Sequence, residues 1–378
     1  MKTWVEISRK ALSYNLEQFR KLVGNGVKIM GVVKANAYGH CLVEVAAAIA
    51  DKVDWFGVDS LAEALKLREI GVKKPILILG YTELADLREA VKNNISLTVY
   101  NRETIERLGK IQVKNPNFNP KVHIKVETGT SRQGVSKKEI LDFVKFIKTF
   151  SSIEIQGLST HYANIEDTTD SSFAMEQLSV FSRVAAILKK EKEGVADPLR
   201  HTACSAATIL FPETHFDMVR LGISMYGLWS SKETKAVAKN KNIDFNLKPA
   251  LAWKTIVAQI KEVKSGTSIG YGLTERVSRD SKIAILPVGY YDGYDRKLSS
   301  VGNVLICGKR CKVLGRVCMN MIIVDVTDVE KIEFEDEVVL LGRQGREEIT
   351  ADDLAGKIGT INYEVVTRIN PLIKRIAV

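Results

Sequence analysis

Lys34 is the residue of this chain whose setting most strongly suggests chemistry. The run Gly31-Val32-Val33-Lys34-Ala35-Asn36-Ala37-Tyr38-Gly39-His40 passes abruptly from apolar, β-branched residues to a lysine, then to small and polar ones. That is the pattern of a buried strand that delivers one amine to a pocket. A lysine at the C-terminal end of a barrel strand lies where barrel enzymes build their sites. Desolvation and a nearby cation lower the pKa of an amine, and the neutral amine can condense with a carbonyl cofactor. A strand-end lysine that only snorkels into solvent has the same local sequence, so the rest of the chain must decide between the two.

The elements around Lys34 have a regular rhythm. Strand-like runs fall at Lys28–Val33, Trp55–Val58, Pro75–Leu79, Ser96–Val99, Val122–Val126, Ile153–Leu158, Leu199–Thr202 and Met218–Leu221. Helical patterns lie between them, as in Leu42–Ala50, Leu61–Ile70, Leu84–Lys92, Ile140–Phe150 and Phe173–Lys190. This βαβα alternation predicts a parallel α/β architecture, and about eight strands suit a closed barrel. An open doubly wound sheet has the same rhythm, but no G-x-G-x-x-G follows the first strand, which argues against its dinucleotide-binding form. Near residue 232 the pattern changes. Ser230–Thr234 and the polar stretch through Asn246 read as a connection, followed by strands with turn signals and one helix, Ala351–Ile358, with Thr350 as its N-cap. We therefore expect an α/β barrel over residues 1–235 and a mostly β domain over residues 236–378.

Bulk properties narrow the function classes. The 378 residues carry a formal net charge of +10, from 55 basic and 45 acidic side chains. That excess is spread thinly and forms no basic stripe interleaved with aromatics, which argues against nucleic acid as a partner. Five cysteines without a C-x-x-C pair fit a reducing compartment and no metal centre. Cys307 and Cys311 flank Gly308-Lys309-Arg310, which reads as a hairpin turn that would set the two cysteines opposite each other. No N-terminal stretch resembles a signal peptide and no apolar run is long enough to span a bilayer, so the expected location is cytoplasmic.

The string Val-Val-Lys-Ala-Asn-Ala-Tyr-Gly-His closely resembles the cofactor-lysine motif of the alanine racemases, enzymes that use pyridoxal 5′-phosphate (PLP). The resemblance extends over essentially the whole chain, and it implies an N-terminal (β/α)8 TIM-like barrel followed by a C-terminal mostly β domain. PLP needs a lysine for its aldehyde, donors for its phosphate and a group that sets the charge on its ring nitrogen. The resemblance assigns the first to Lys34. It assigns phosphate contacts to Tyr38, to Ser205 in His201-Thr202-Ala203-Cys204-Ser205-Ala206-Ala207, to the backbone of Gly222 and Ile223, and to Tyr363 in Ile361-Asn362-Tyr363-Glu364. The family usually has asparagine where this chain has Cys204, which puts a local hydrogen bond in doubt. Arg220, in Val219-Arg220-Leu221-Gly222-Ile223-Ser224-Met225-Tyr226-Gly227, would face the ring nitrogen. An arginine does not give up its proton, so the ring nitrogen would stay unprotonated. A weaker electron sink favours racemisation over transamination.

Racemisation needs a proton-transferring group on each face of a planar intermediate. By resemblance these are Lys34 and Tyr271, the latter in Ser268-Ile269-Gly270-Tyr271-Gly272 and reached from a partner subunit of a homodimer. A tyrosine titrates near ~10 and needs cationic neighbours to act near neutrality; His161, in Ser159-Thr160-His161-Tyr162-Ala163, and Arg220 are the candidates. The stretch Lys125-Val126-Glu127-Thr128-Gly129-Thr130-Ser131-Arg132-Gln133-Gly134 is similar to the family's substrate loop. There Arg132 would contact the substrate carboxylate and Lys125 would carry a carbamate. Glycine is common at the position of Ser131. Tyr290 would narrow the entrance, and the backbone N–H of Met319 would bind the substrate carboxylate. Together they imply a small pocket and alanine as substrate, with D-alanine supplied for peptidoglycan. The residue after Met319 is often aspartate in the family but is Asn320 here, which keeps serine or a broader amino-acid range open. A PLP-carrier module would lack the second domain, and a barrel-type decarboxylase would place glutamate at the position of Arg220.

Overall fold

The computed structural model describes residues 1–111, 119–166, 169–190 (backbone only at 190) and 197–378. Its first strand, β1 (Thr3–Ile7), belongs to a ten-stranded sheet built mainly from the second half of the chain. The strands expected in the first half follow as β2 (Lys28–Val32), β3 (Trp55–Val58), β4 (Ile76–Ile78), β5 (Ser96–Val99), β6 (Lys121–Lys125), β7 (Glu154–Ser159), β8 (Leu199–His201) and β9 (Met218–Leu221). Among the described residues they form one eight-stranded parallel sheet in the order β8-β7-β6-β5-β4-β3-β2-β9. Its two ends meet: Asp217 N–H donates to the carbonyl of Arg200 at 3.1 Å and Arg220 N–H to that of Ala203 at 3.0 Å. The result is a closed α/β barrel. Every residue of β3, β4, β5 and β9 is buried, as expected for strands covered on one face by helices and on the other by the barrel core. Helices between the strands start where the sequence offers caps. Ser60 accepts from Glu63 N–H, and Asn101 accepts from Thr104 N–H at 2.9 Å.

Lys34 lies two residues beyond β2 and opens a turn that runs to Tyr38. Ala35, Asn36, Ala37 and Tyr38 all have φ between 52° and 54°, so the turn is left-handed. Such a conformation costs roughly 1–2 kcal/mol per non-glycine residue, and strain of this kind gathers at functional sites.

The second sheet contains β1 and nine later strands: β10 (Leu251–Ile256), β11 (Gln259–Val263), β14 (Ser281–Leu286), β15 (Asn303–Ile306), β16 (Lys309–Leu314), β17 (Ile322–Asp325), β18 (Glu337–Gln344), β19 (Glu347–Ile349) and β20 (Arg375–Ala377); β12 (Ser268–Ile269) and β13 (Glu275–Arg276) pair only with each other, as a separate two-stranded sheet. The order is β11-β14-β17-β16-β15-β18-β10-β1-β20, with β19 on β18. It is antiparallel except for the parallel pair β1–β20. Thr350 caps the helix Ala351–Ile358 in a reciprocal capping box with Asp353.

Several local expectations change. The stretch read as a connection at Ser230–Thr234 is the start of a helix, Lys232–Asn240, capped by Ser231. A second helix in the later half, Asn362–Thr367, carries Tyr363. In the β15–β16 hairpin the turn is Cys307-Gly308, and Cys311 pairs with Val304, so the two cysteines do not face each other and both are free. The chain divides into two compact units between Lys248 and Pro249 rather than after residue 235. Met1–Lys10 and Asn36–Glu44 group with the second unit. That grouping follows from pairing: β1 is laced to β10, and the guanidinium of Arg375 donates to the carbonyl of Gly39 at 3.1 Å. Among the described residues no helix is long and apolar enough to cross a membrane.

Gly39 ends the left-handed turn with φ +81°, and a Cβ there would lie 2.1 Å from the carbonyl oxygen of Val366. Both conditions exclude a side chain. Gly39→Ala is therefore expected to lower the unfolding free energy by roughly 2–4 kcal/mol. An unchanged urea midpoint would show that this contact does not hold the turn.

Candidate active site

The candidate residues of the barrel unit gather at the C-terminal ends of its strands. Lys34 follows β2, Asp59 follows β3, Lys125 ends β6, Thr160 and His161 follow β7, Ser205 lies beyond β8, and Gly222 and Ile223 follow β9. Arg220, inside β9, is the centre of the group. Its guanidinium is almost fully buried, and among the described residues no carboxylate pairs with it. Nη1 donates to the carbonyl of His201 at 2.5 Å and to His201 Nδ1 at 2.9 Å. Nη2 donates to the carbonyls of Thr160 and Thr202, each at 2.8 Å, and lies 3.3 Å from His161 Nδ1. All these acceptors are neutral, and burial brings the Arg220 pKa down to about 10. It remains a cation at neutral pH with Nη1 and Nη2 occupied. Nε–H donates to no protein acceptor among the described residues.

The charge of Arg220 acts on its neighbours. Burial, then Lys125 and Arg220, hold His161 well below the usual histidine range. That depression favours a neutral His161 imidazole that accepts from Arg220. His201 is depressed in the same way, by burial first and Arg220 second. Burial also holds the Lys125 ammonium well below its ordinary value, with Arg220, Arg132 and Lys34 adding to the effect against an opposing pull from Glu127. Among the described residues, Lys125 Nζ donates to no acceptor. Lys34 Nζ, half-exposed, lies 3.4 Å from the carboxylate of Asp59. The sequence reading missed this acid, because nothing in its local string sets it apart from a surface aspartate.

The loop after β6 is built around Glu127. Its carboxylate accepts backbone N–H groups of Gly129 at 2.5 Å, Thr130 at 2.7 Å and Arg132 at 3.3 Å. Burial raises its pKa, but these bonds win and hold it below the usual carboxylate range. Arg132 is exposed at the end of this turn. Ser131 adopts φ +52°, so the backbone keeps a left-handed shape without a glycine. Gln177, buried on the helix Ser172–Lys190, ties this loop to that of His161. It accepts from Ala163 N–H at 2.9 Å and donates to Thr128 Oγ1 at 3.1 Å and the His161 carbonyl at 3.2 Å.

Ser205 is the first residue of the helix Ser205–Leu210 and not its cap; that position is Cys204, whose side chain makes no capping bond. Ser205 Oγ instead accepts from Gly222 N–H at 3.1 Å and Ser224 N–H at 3.4 Å. Its own O–H is left to donate. Ser224 Oγ is buried with no partner, and Ile223 N–H donates to no protein acceptor among the described residues.

In the second unit Tyr38 and Tyr363 come together, with ring centroids 6.2 Å apart. Arg375 donates to the carbonyls of Gly39, Ile369, Asn370 and Ile373 and so joins the two segments that carry them. Tyr290 and Met319 are also neighbours, since Tyr290 N–H donates to the Cys318 carbonyl and Tyr291 N–H to the Met319 carbonyl, each at 3.0 Å. Met319 N–H has no protein acceptor among the described residues. Tyr271 stands between Gly270 (φ +70°) and Gly272 (φ +75°) and is 71% exposed. Cα positions of this turn abut the Met319 segment: a Cβ on Gly272 would lie 2.9 Å from Arg316 Cζ.

The donor set fits PLP. A cluster of Lys34, Lys125, Arg132 and Arg220 with few acids suits a phosphate and a carboxylate. Ser205 O–H, Ser224 Oγ and Ile223 N–H are donors without protein acceptors among the described residues. Arg220 Nε–H matches an unprotonated ring nitrogen. Gly222 N–H is already engaged by Ser205 and would have to be shared.

Two predictions follow from this geometry. Ser131→Gly relieves the left-handed φ and is expected to stabilise the protein by up to about 1 kcal/mol in thermal or urea unfolding; a loss of stability would mean that Ser131 is not strained. The second concerns acid. His123, which burial pushes down to about 4, His161 and His201 are neutral when folded and titrate near 6.5 when unfolded. The unfolded chain then binds more protons below that pH. Stability present at pH 7 should fall as pH drops through 6.5 towards 4. Equal unfolding free energies at pH 7 and pH 5 would contradict neutral burial.

Known proteins place this geometry in a family. The model of the alanine racemase N-terminal domain matches residues 7–230, and that of the C-terminal domain matches residues 250–377. The alanine racemase of Halothermothrix orenii is 42% identical over 378 residues, covering 99% of this chain and 96% of its own. That of Methanococcus maripaludis is 40% identical over 375 residues, covering 99% and 98%. Among solved structures, the alanine racemase of Bacillus anthracis with bound L-Ala-P superposes with a TM-score of 0.91 at 35% identity, covering 100% of this chain and 95% of that one. The enzyme from E. faecalis has a TM-score of 0.91 at 32% identity, covering 100% and 98%.

Proposed function

This chain belongs to the alanine racemase family, and from that premise we propose that it interconverts L- and D-alanine with PLP, using Lys34 and Tyr271 as its two proton-transferring groups. The observation that carries the reading is the pairing of Arg220. Its Nη1 and Nη2 are saturated by neutral acceptors while Nε–H is left over. A permanent donor of this kind holds a ring nitrogen as an acceptor and leaves it unprotonated. When bound, PLP withdraws electrons from the substrate Cα and so acidifies the Cα proton.

The residues then divide the work. Arg220 limits that electron withdrawal and so favours return of the proton to Cα. Lys34 holds the cofactor carbon and moves a proton on one face. Asp59 pairs with its ammonium form. Ser205, Ile223, Gly222, Tyr38 and Tyr363 hold the phosphate. Arg132 and the N–H of Met319 take the substrate carboxylate, and Tyr290 narrows the entrance. His161 orients Arg220 as a neutral acceptor. Lys125, without a protein acceptor among the described residues and depressed in pKa, has the neutral amine that adds CO2 and releases a proton to form a carbamate, and the resulting anion would hold Arg132.

Tyr271 would act from a partner subunit of a homodimer. Tyr290, Tyr291, Met319 and Met321 are exposed on hydrogen-bonded neighbouring segments, and Tyr271 and Leu273 are exposed on a turn whose Gly272 lies against Arg316, an apolar surface of the kind that marks an interface. The proposed setting is the cytoplasm, with D-alanine supplied for peptidoglycan. Asn320, exposed beside Met319, is the position through which serine could be admitted.

The deciding experiment incubates the protein with PLP and L-alanine in D2O. D-alanine carrying deuterium at Cα is expected, with activity lost by at least 1000-fold in Lys34→Ala, and by about 100-fold or more in Tyr271→Phe. Bound PLP with no exchange at Cα would overturn the racemase reading. Racemisation of serine faster than alanine, reversed in Asn320→Asp, would move the assignment to serine.

A further inference from the structure

The interior of an α/β barrel is ordinarily filled by branched apolar side chains. Here a line of polar side chains crosses it. From Arg220 the line continues through His201, whose Nε2 lies 2.8 Å from His123 Nδ1. His123 Nε2 lies 3.3 Å from Gln156 Oε1, which also accepts from Ser96 Oγ at 2.6 Å. These residues come from β9, β8, β6, β7 and β5. Trp55 of β3 meets the His123 ring edge-on at 5.3 Å, a contact that strands three apart can make only across the interior.

Every proton in this line is determined from one end. A guanidinium can only donate, so His201 Nδ1 must be unprotonated. A neutral His201 then carries its proton on Nε2 and donates to His123 Nδ1. His123 must in turn carry its proton on Nε2 and donate to Gln156 Oε1. Burial pushes His123 down to about 4 and His201 well below its ordinary range, so each ring holds one proton at neutral pH.

The backbone is shaped for this line. The β6–β7 ladder pairs Val122 with Ile155 and His123 with Gly157, so Gln156 is an extra residue in a bulge. Bulges re-aim side chains beside active sites. A Cβ on Gly157 would lie 2.0 Å from His123 Nδ1, so only glycine leaves room for the ring.

We propose that His123 is a positioning residue of this site: the line His201–His123–Gln156–Ser96 fixes the tautomer of His201 and so holds the Arg220 guanidinium in the arrangement that leaves Nε–H available. The inference rests on the reading of Arg220 as the partner of the PLP ring nitrogen. Without an acceptor from His123, the Nε2 proton of His201 is buried and unpaired, which a buried polar group does not tolerate cheaply. The other tautomer points Nδ1–H at Arg220 Nη1, donor against donor. Either outcome displaces the arginine.

The test uses holoenzyme with 15N-labelled histidine, five residues in all, assigned by substitution and followed by ring-nitrogen NMR. His201 and His123 are each expected to show a protonated Nε2 and an acceptor Nδ1. His123→Phe keeps the ring volume and removes both nitrogens. It is expected to move the His201 signals and weaken PLP binding roughly tenfold in a fluorescence titration. His123→Asn offers an amide oxygen to His201 and is expected to restore most of both. Should His123→Phe fail to fold, Gln156→Leu removes the far acceptor and is expected to shift the His123 Nε2 signal. A protonated Nδ1 on His201 in the unmodified holoenzyme would overturn the proposal. So would unchanged His201 signals and affinity in His123→Phe, or a His123→Asn variant no better than His123→Phe. The NMR and binding measurements need no turnover, so their failure is distinct from failure of the racemase reading, which the D2O experiment tests.

Discussion

A buried cation that no carboxylate among the described residues neutralises organises the barrel end. Arg220 cannot lose its proton under ordinary conditions, and an unpaired buried charge is costly. The fold compensates with carbonyl dipoles from Thr160, His201 and Thr202 and with two imidazole nitrogens. Those carbonyls belong to the chain just beyond β7 and at the end of β8, so one guanidinium also ties together the neighbouring strand ends. A carboxylate in their place would have neutralised the cation and engaged its donors. Neutral acceptors leave the charge unneutralised and, among the described residues, Nε–H unengaged.

The same charge fixes the protonation of its surroundings. His161, His201 and His123 are neutral because burial and nearby cations both oppose a further proton. Lys125 is held down for the same two reasons. Positive potential therefore accumulates at the strand ends, and Glu127 does not cancel it because its carboxylate is spent on backbone N–H groups of its own loop. The barrel end is electropositive before any ligand arrives. The backbone contributes strain to the same end, in the left-handed turn after Lys34 and at Ser131. Each is held by contacts that over-determine it: the turn by the close approach of Gly39 to Val366, the loop by Glu127 and Gln177.

The roles proposed for specificity and proton return fall on residues of the other unit. Tyr271, Tyr290 and Met319 are exposed there, carried on turns that glycines at positive φ permit. An exposed tyrosine between two glycines has little reason to be held in place by its own unit. Its role in the proposed mechanism needs the surface of a second copy, as the family resemblance implies.

The sequence alone determined the order of strands and helices in the first half, because buried parallel strands read as apolar runs and the intervening helices as periodic ones. It also singled out Lys34, Arg220, Ser205 and Tyr271, because their strings are distinctive. Short-range signals failed where the deciding partner was remote. Lys232–Asn240 looked like a connection because its surface is polar, and only packing against the barrel unit makes it a helix. Asp59 and Gln177 have unremarkable neighbours in sequence. His201 stood at the head of a quoted string without a role, and His123 lay two residues ahead of another, since their meaning lies in contacts 78 and 19 residues away. Which nitrogen carries a proton, which donor of Arg220 is left over and whether His161 is charged are set by burial and by distances across the barrel interior. Those quantities do not exist until the strands close.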